Sequence, residues 1–324
     1  MLLVRAPLRI TFGGGGTDLP SYASKYEGFC VSATISKYAY VGINPIFNSG
    51  TILRYSENES VISYDDIQHP IFREALKLSN ITDPIEVVSI ADVPSNGAGL
   101  GNSGAFTVAL VKALAYYNRK ALSPQRTARI ACNINMGSLN KTQGKQDEYA
   151  CAIGGINAFT FKKNGSVEYV PLEISNSTEV DLEENLLLFY SGVRHSTEEI
   201  LGVQEDMTLR DYSPMVDSLH ATKMMGSVAK NFLEAGDTQG FGDLLNQQWE
   251  LKEKRMPWED EELHSLHYGF NNHGAIGSKI IGSGNGGFFM VYAEDRRAVR
   301  NYALAHDLKE LRFNFDFEGV KGIV

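Results

Sequence analysis

The period of the hydrophobic pattern changes several times along the chain, and each change marks an element. The opening run "LLVRAPLRITF" is rich in strand-forming residues and ends in four glycines, Gly13 to Gly16. "FCVSATI" and "KYAYVGI" read as neighbouring strands, and "TILRYS" with "SVISY" as a further pair. "HPIFREALKLSN" carries apolar residues at helical spacing and should close at Asn80. "PIEVVSIADVP" is a strand by its Val and Ile content, and it delivers the chain into a glycine loop, "PSNGAGLGNSGAF". Residues 103–118 then predict a helix that is apolar on nearly every face and therefore buried. Ser123 and Pro124 supply the N-cap and first-turn residue of another helix. A Lys, Gln and Gly-rich turn in "NKTQGKQDEYACAIGGINAFTF" leads on to a strand.

The segment "EISNSTEVDLEEN" is polar and without periodicity, which places a boundary there and divides the chain into residues 1–176 and 177–324. Beyond it, "NLLLFYSGV" is a strand and residues near 196–265 are mostly helical. "SKIIGSGNGGFFMVYA" reads as strand, glycine turn, strand, and "LRFNFDFEGVKGIV" as a closing strand. The fold class is α+β in two domains, with no internal repeat.

Composition narrows the partners. The 324 residues exceed one ordinary core, and 43% apolar with 21% charged residues is a globular balance. A net charge of −9 argues against nucleic acid or a membrane surface, so an anionic small molecule would need a local cationic pocket. Cys30, Cys132 and Cys151 form no C-x-x-C pair and read as buried thiols of a reducing compartment. No basic leader precedes a long apolar run, so a cytoplasmic protein is expected; the oligomeric state stays open.

The glycine loop carries the first chemistry. A strand, a glycine loop and a helix together present backbone N–H groups and a positive helix terminus to an anion. Phosphate binding is one reading and a capped turn the other. The P-loop pattern fails because no Lys follows the last glycine. Gly99, Gly101 and Gly104 match G-x-G-x-x-G, but the acidic residue due about 20 positions later is missing. Neither H-R-D nor D-F-G occurs, which excludes the protein-kinase pattern. His264, His267 and His273 offer nitrogen ligands, yet their spacing, without a nearby Cys, is poor for zinc.

"PSNGAGLGNSGAF" resembles the P-x-x-x-G-L-G-S-S signature of the GHMP kinases, the family of galactokinase, homoserine kinase, mevalonate kinase and phosphomevalonate kinase. "RAPLRITFGGGGTDLPSYA" resembles the family's first motif and "KIIGSGNGGFFMVY" its third, in the family's order. "SATISKYAYV", "GKQDEYACAIGGINAFTF" and "FYSGVRHSTEEIL" are most similar to the branch that phosphorylates D-glycero-D-manno-heptose 7-phosphate. The resemblance implies a GHMP kinase N-terminal domain, a ferredoxin-like C-terminal domain, and ATP with Mg²⁺ acting on a small-molecule sugar phosphate.

It also implies roles. Ser95, Gly97, Ala98, Gly99, Gly101, Asn102 and Ser103 would bind ATP, with Ser103 reaching Mg²⁺. Asp147 matches the family's base, and Arg9 an arginine near the transferred phosphate. Lys145 could lower the Asp147 pKa or hold the sugar's phosphate. Gly15, Thr17, Asp18, Arg194, Gly284 and Asn285 would meet the sugar.

Three departures bear on activity. Asn102 replaces the first serine of the signature, where it should still cap the helix. "NINMGSL" holds no acid where relatives carry a metal-binding Glu, so Asn135 would offer a neutral oxygen instead. Asn285 stands where relatives have glycine. A slow kinase is the expected reading, and a nucleotide- or sugar phosphate-binding regulator without turnover is the alternative.

Overall fold

A computed structural model describes residues 1–47, 49–93, 98–194, 197–255, 260–282 and 286–323. The first strand, β1 (Leu2–Gly13), is followed by a short helix, α1 (Pro20–Tyr26), with Pro at its start where a missing N–H costs nothing. The two runs expected as neighbouring strands are one long strand, β2 (Gly28–Pro45). Its pairing with β1 jumps from Pro7↔Tyr38 to Leu8↔Ile35, so Ser36 and Lys37 bulge out and the strand bends there without ending.

β3 (Thr51–Arg54) and β4 (Asn58–Val61) form the expected hairpin, and α2 (Pro70–Ser79) stops at Asn80 in the left-handed conformation. β5 (Ile85–Ala91) leads to the glycine loop and α3 (Asn102–Tyr117). α4 (Pro124–Cys132) is capped by Ser123, whose hydroxyl accepts from Arg126 N at 3.2 Å, and it continues as π-helical turns over Asn133–Ser138. The polar turn foreseen next contains a helix, α5 (Gln146–Ile153), before β6 (Ile156–Phe161) and β7 (Val167–Pro171).

The polar boundary segment is also helical: α6 (Asn176–Asn185) buries only Thr178 and Leu182, which is why it shows no period. β8 (Leu186–Arg194) is followed by α7 (Thr197–Leu209), α8 (Ser213–Ala235), α9 (Thr238–Glu253) and α10 (Glu261–Asn272). β9 (Gly277–Ile280), β10 (Gly286–Tyr292), α11 (Arg296–Ala305), β11 (Lys309–Glu310) and β12 (Lys321–Gly322) complete the chain.

Among the described residues these strands make two sheets, a mixed α+β architecture. The larger runs β12-β1-β2-β5-β3-β4, with β6 on the first half of β2 and β7 outside it; the smaller runs β11-β8-β10-β9. The closing "LRFNFDFEGVKGIV" is mostly irregular rather than a strand. β1, β5 and β6 already occupy the edges of β2, so the segment pairs with it only near the bulge, through Asp316 N to Thr34 O and Ser36 N to Asn314 O.

From Ala6 to Gly13 every residue of β1 is buried, so both faces of that strand are covered, and α3, α5 and α8 pack against it. Leu8, Ile10 and Phe12 are fully enclosed, each contributing roughly 1.5–3 kcal/mol. That rigid strand carries Arg9 into a cleft, whose lining also includes residues of α9 and of β9, on which α9 packs. No helix among the described residues is long and apolar enough to cross a membrane.

Candidate active site

The cleft encloses about 340 Å³ between the glycine loop, β1 with the glycine turn after it, α5, and the α7–α9 layer with β9. Gly101 precedes α3 at φ 75°, a conformation that glycine adopts without a Cβ clash. Among the described residues no side chain caps α3, whose N-cap is Gly101, so its positive terminus meets the cleft open to an anion. Asn102 is the first helical residue, not the cap, and its amide donates to Val93 O at 2.9 Å, tying the helix to the chain that leaves β5. Ser103 is exposed in the cleft with its hydroxyl unused by the helix start.

Arg9 and Asp147 meet beside this loop. Arg9 Nε and Nη2 both donate to Asp147 Oδ1, at 2.9 and 2.7 Å, and Nη1 donates to Gly99 O at 2.5 Å. Burial penalises the Arg9 charge, but the Asp147 carboxylate outweighs it and holds the guanidinium pKa above its usual value. Asp147 sits in the first turn of α5, where the helix dipole favours a carboxylate. Its backbone comes close to α3 because Gly104 has no side chain: a Cβ there would stand 2.7 Å from Asp147 Cβ.

Asp18 and Thr17, adjacent in sequence, do different work. The Asp18 carboxylate lines the cleft and accepts from Gln146 N at 2.9 Å and Gly16 N at 3.2 Å. Burial, with the Asp147 charge nearby, raises its pKa. Thr17 is wholly buried and does not meet the cleft; its hydroxyl donates to Gly14 O at 2.8 Å and accepts from Phe29 N at 3.0 Å, which fixes the glycine turn. Gly15 lines the cleft, and Gln204 reaches over from α7 to donate to Gly16 O at 3.0 Å.

The opposite wall is cationic. Lys252 on α9 donates to Gly282 O at 2.6 Å, and Lys279 on β9 donates to Phe12 O at 2.9 Å and Gln248 Oε1 at 2.6 Å. Arg255 follows α9 and also faces the cleft. Among the described residues the lining holds five cationic side chains, Arg9, Lys141, Lys252, Arg255 and Lys279, against the carboxylates of Asp18 and Asp147. In a chain of net charge −9 that concentration selects an anionic ligand.

The GHMP kinases N terminal domain is matched over residues 69–155. A D-glycero-alpha-D-manno-heptose 7-phosphate kinase of Campylobacter jejuni is 28% identical over 337 residues, covering 98% of this chain and 97% of that protein. A mevalonate kinase of Methanothermobacter thermautotrophicus is 27% identical over 76% of each chain. A D-glycero-D-manno-heptose 1-phosphate kinase structure from Bacteroides thetaiotaomicron shares the fold with a TM-score of 0.82 at 23% identity, covering 100% of this chain and 99% of the other. Lactococcus lactis galactokinase complexed with galactose does so at 0.76 and 15% identity, covering 99% and 94%.

The chain belongs to the GHMP kinase family. It is therefore an ATP-dependent phosphotransferase with a hydroxyl acceptor. In this GHMP kinase the structure gathers Arg9, Gly15, Asp18, Ala98, Gly99, Gly101, Asn102, Ser103 and Asp147 around one cleft. It does not bring Lys145 there: that ammonium donates to Gly165 O, in a separate cavity of about 710 Å³ beside α4. Asn135 is also outside the cleft lining. It is fully buried, and its amide donates to Glu148 Oε1 at 2.8 Å and Thr107 Oγ1 at 3.2 Å.

Ser95, Gly97, Gly284 and Asn285 lie outside the described residues, and of Arg194 the backbone alone is described, opposite Gly286 at the end of β8. The three histidines turn to different partners: His264 to Glu253, His267 to Ser278 and His273 to Gly269 O. Sequence reasoning missed Gln146, Glu148, Gln204 and the wall cations. Lys279 inside the apolar run "SKII" was a usable signal, since a strand lysine needs a reason; Lys252 and Arg255 in "LKEKR" look like any solvated helix end.

Proposed function

We propose that this kinase phosphorylates the anomeric hydroxyl of a sugar phosphate, D-glycero-D-manno-heptose 7-phosphate being the first candidate. The observation that carries the reading is the Arg9–Asp147 pair set beside the start of α3, facing a cationic wall. The 28% identity to the heptose 7-phosphate kinase along nearly the whole chain supports the choice of acceptor.

In this reading the glycine loop from Ala98 to Ser103 and the α3 terminus hold the ATP phosphates. Asp147 Oδ1 is engaged by Arg9, while no described donor reaches Oδ2 beside Gly101, so Oδ2 takes the proton of the acceptor hydroxyl. The oxygen then bonds to the γ-phosphorus, the bond to the β-phosphate oxygen breaks, and ADP leaves. Arg9, also anchored to Gly99 O, fixes Asp147 and places positive charge at the transferred group. Asp18 and Gly15 orient the sugar hydroxyls.

Mg²⁺ fits at Ser103, whose hydroxyl stands in the cleft, because an ion arriving on ATP keeps several waters and needs few protein ligands. It would neutralise charge on the phosphates. The buried Asn135 does not fit as its ligand.

The test is ADP release with MgATP over a panel of sugars and sugar phosphates, with Asp147→Asn as control. Turnover that depends on a phosphorylated heptose and is lost in the control supports the proposal. Ligand binding without turnover for any acceptor would instead identify a regulator.

A further inference from the structure

Among the described residues the wall formed by Lys252, Arg255 and Lys279 has no carboxylate partner of its own. Lys252 Nζ donates, among the described residues, only to carbonyls, Ile280 O at 3.3 Å and Gly282 O at 2.6 Å. Lys279, 6% exposed, is held by a carbonyl and the neutral amide of Gln248. Arg255 Nη1 is shut off from solvent and has no hydrogen-bond partner among the described residues. Other cations of the protein do find carboxylates: Arg300 meets Glu310 at 2.7 Å and Arg5 meets Glu318 at 2.5 Å.

Two lysines anchored by neutral groups and an arginine with an unpartnered Nη1, together and partly desolvated, are costly unless an anion completes them. Burial pulls Lys279 down to about 7 and Arg255 to about 10, and Lys252 is lowered by burial and by the charges of Lys279, Arg255 and Arg9. The glycine loop, the α3 terminus and Arg9 already offer donors for the nucleotide phosphates, and the wall adjoins them where Gly282 meets Gly99.

We propose that Lys252, Arg255 and Lys279 form a second anion subsite that holds the phosphate already present on the acceptor, so that the enzyme selects phosphorylated sugars over neutral ones. The inference rests on the sugar phosphate kinase reading and assigns its specificity to α9 and β9. Arg255, whose Nη1 has no partner among the described residues, supplies the guanidinium contact, and the lysines supply point charge.

Calorimetric binding to the whole protein with MgADP present tests it. The probes are D-glycero-D-manno-heptose 7-phosphate, hexose 6-phosphates, their unphosphorylated sugars and inorganic phosphate, against wild type, Arg255→Gln, Arg255→Lys and Lys279→Met. Arg255→Gln should weaken the phosphorylated sugars at least about tenfold, the scale of one lost charged contact, and leave free sugars and MgADP within about twofold. Arg255→Lys should fall between Gln and wild type, and circular dichroism verifies that each variant is folded. An equal loss of MgADP affinity would assign the wall to the nucleotide and overturn the proposal. So would wild type binding neutral sugars as tightly as phosphorylated ones. If heptose 7-phosphate fails but a hexose 6-phosphate binds through Arg255, the subsite stands and the choice of heptose falls.

Discussion

Replacing Glu148 with Gln should stabilise the protein above neutral pH and leave it unchanged in acid. Glu148 follows Asp147 on α5 and has no exposed surface. Its Oε1 accepts from Asn135 Nδ2 at 2.8 Å and Gln143 Nε2 at 2.7 Å. Glu148 Oε2 and Asn135 Oδ1 are buried without a partner among the described residues, and both are acceptors as long as the carboxyl is charged. A proton on Oε2 would make that oxygen a donor, and Asn135, already bonded to Oε1, is the neighbour able to accept it.

Burial, then the Asp147 charge, pushes the Glu148 pKa up from 4.5 to about 7, while Cys132, also nearby, stays neutral through its own burial. The folded state therefore holds the proton more tightly than the unfolded chain does. The associated stability is complete below about 4.5 and is lost as pH rises from there through about 7, a change of about 3 kcal/mol. Glutamine carries a permanent donor in place of the proton. Chemical denaturation of wild type and Glu148→Gln from about pH 3.5 to 8 should give curves that coincide below about pH 4 and separate by up to that amount by about pH 7. Parallel curves, or a Gln variant weaker at every pH, would mean that Glu148 is ionised in the fold and would refute the pairing.

Asp147→Asn should bind MgADP like wild type and lose at least about a hundredfold in turnover, measured by ADP release; unchanged turnover removes Asp147 as the base. Gly104→Ala places a Cβ 2.7 Å from Asp147 Cβ, so α5 must move, and kcat should fall roughly a hundredfold while nucleotide binding holds. Asn135→Glu buries a second carboxyl against Glu148 and should cost at least about 3 kcal/mol in urea unfolding without tightening Mg²⁺; tighter Mg²⁺ binding would return position 135 to the metal site. Asn102→Ser gives up the bond to Val93 O, about 1 kcal/mol, with turnover little changed.

What the sequence disclosed was what local pattern encodes. The strand into the glycine loop, the buried α3 and the Asn80 stop each depend on neighbours within a few positions, and each was readable. α5 was not, because "KQDEYACAI" puts two acids just before its apolar residues and so resembles a turn leaving a polar stretch. β2 looked like two strands because the Ser36–Lys37 bulge interrupts its alternation.

Within the site, the loop and Asp147 belong to runs whose chemistry is contiguous, whereas the wall cations acquire meaning only from α9 and β9 meeting the end of β1 at Phe12. Thr17 and Asp18 show the limit at single-residue scale. Both follow four glycines and both carry polar oxygens. The chain's path puts the hydroxyl of one under Phe29 as a structural tie and the carboxylate of the other beside Gln146 in the cleft. Residue type was enough to nominate the pair. Only the turn between β1 and α1 decides which of them can touch a substrate, and it does so through backbone carbonyls that no side-chain pattern records.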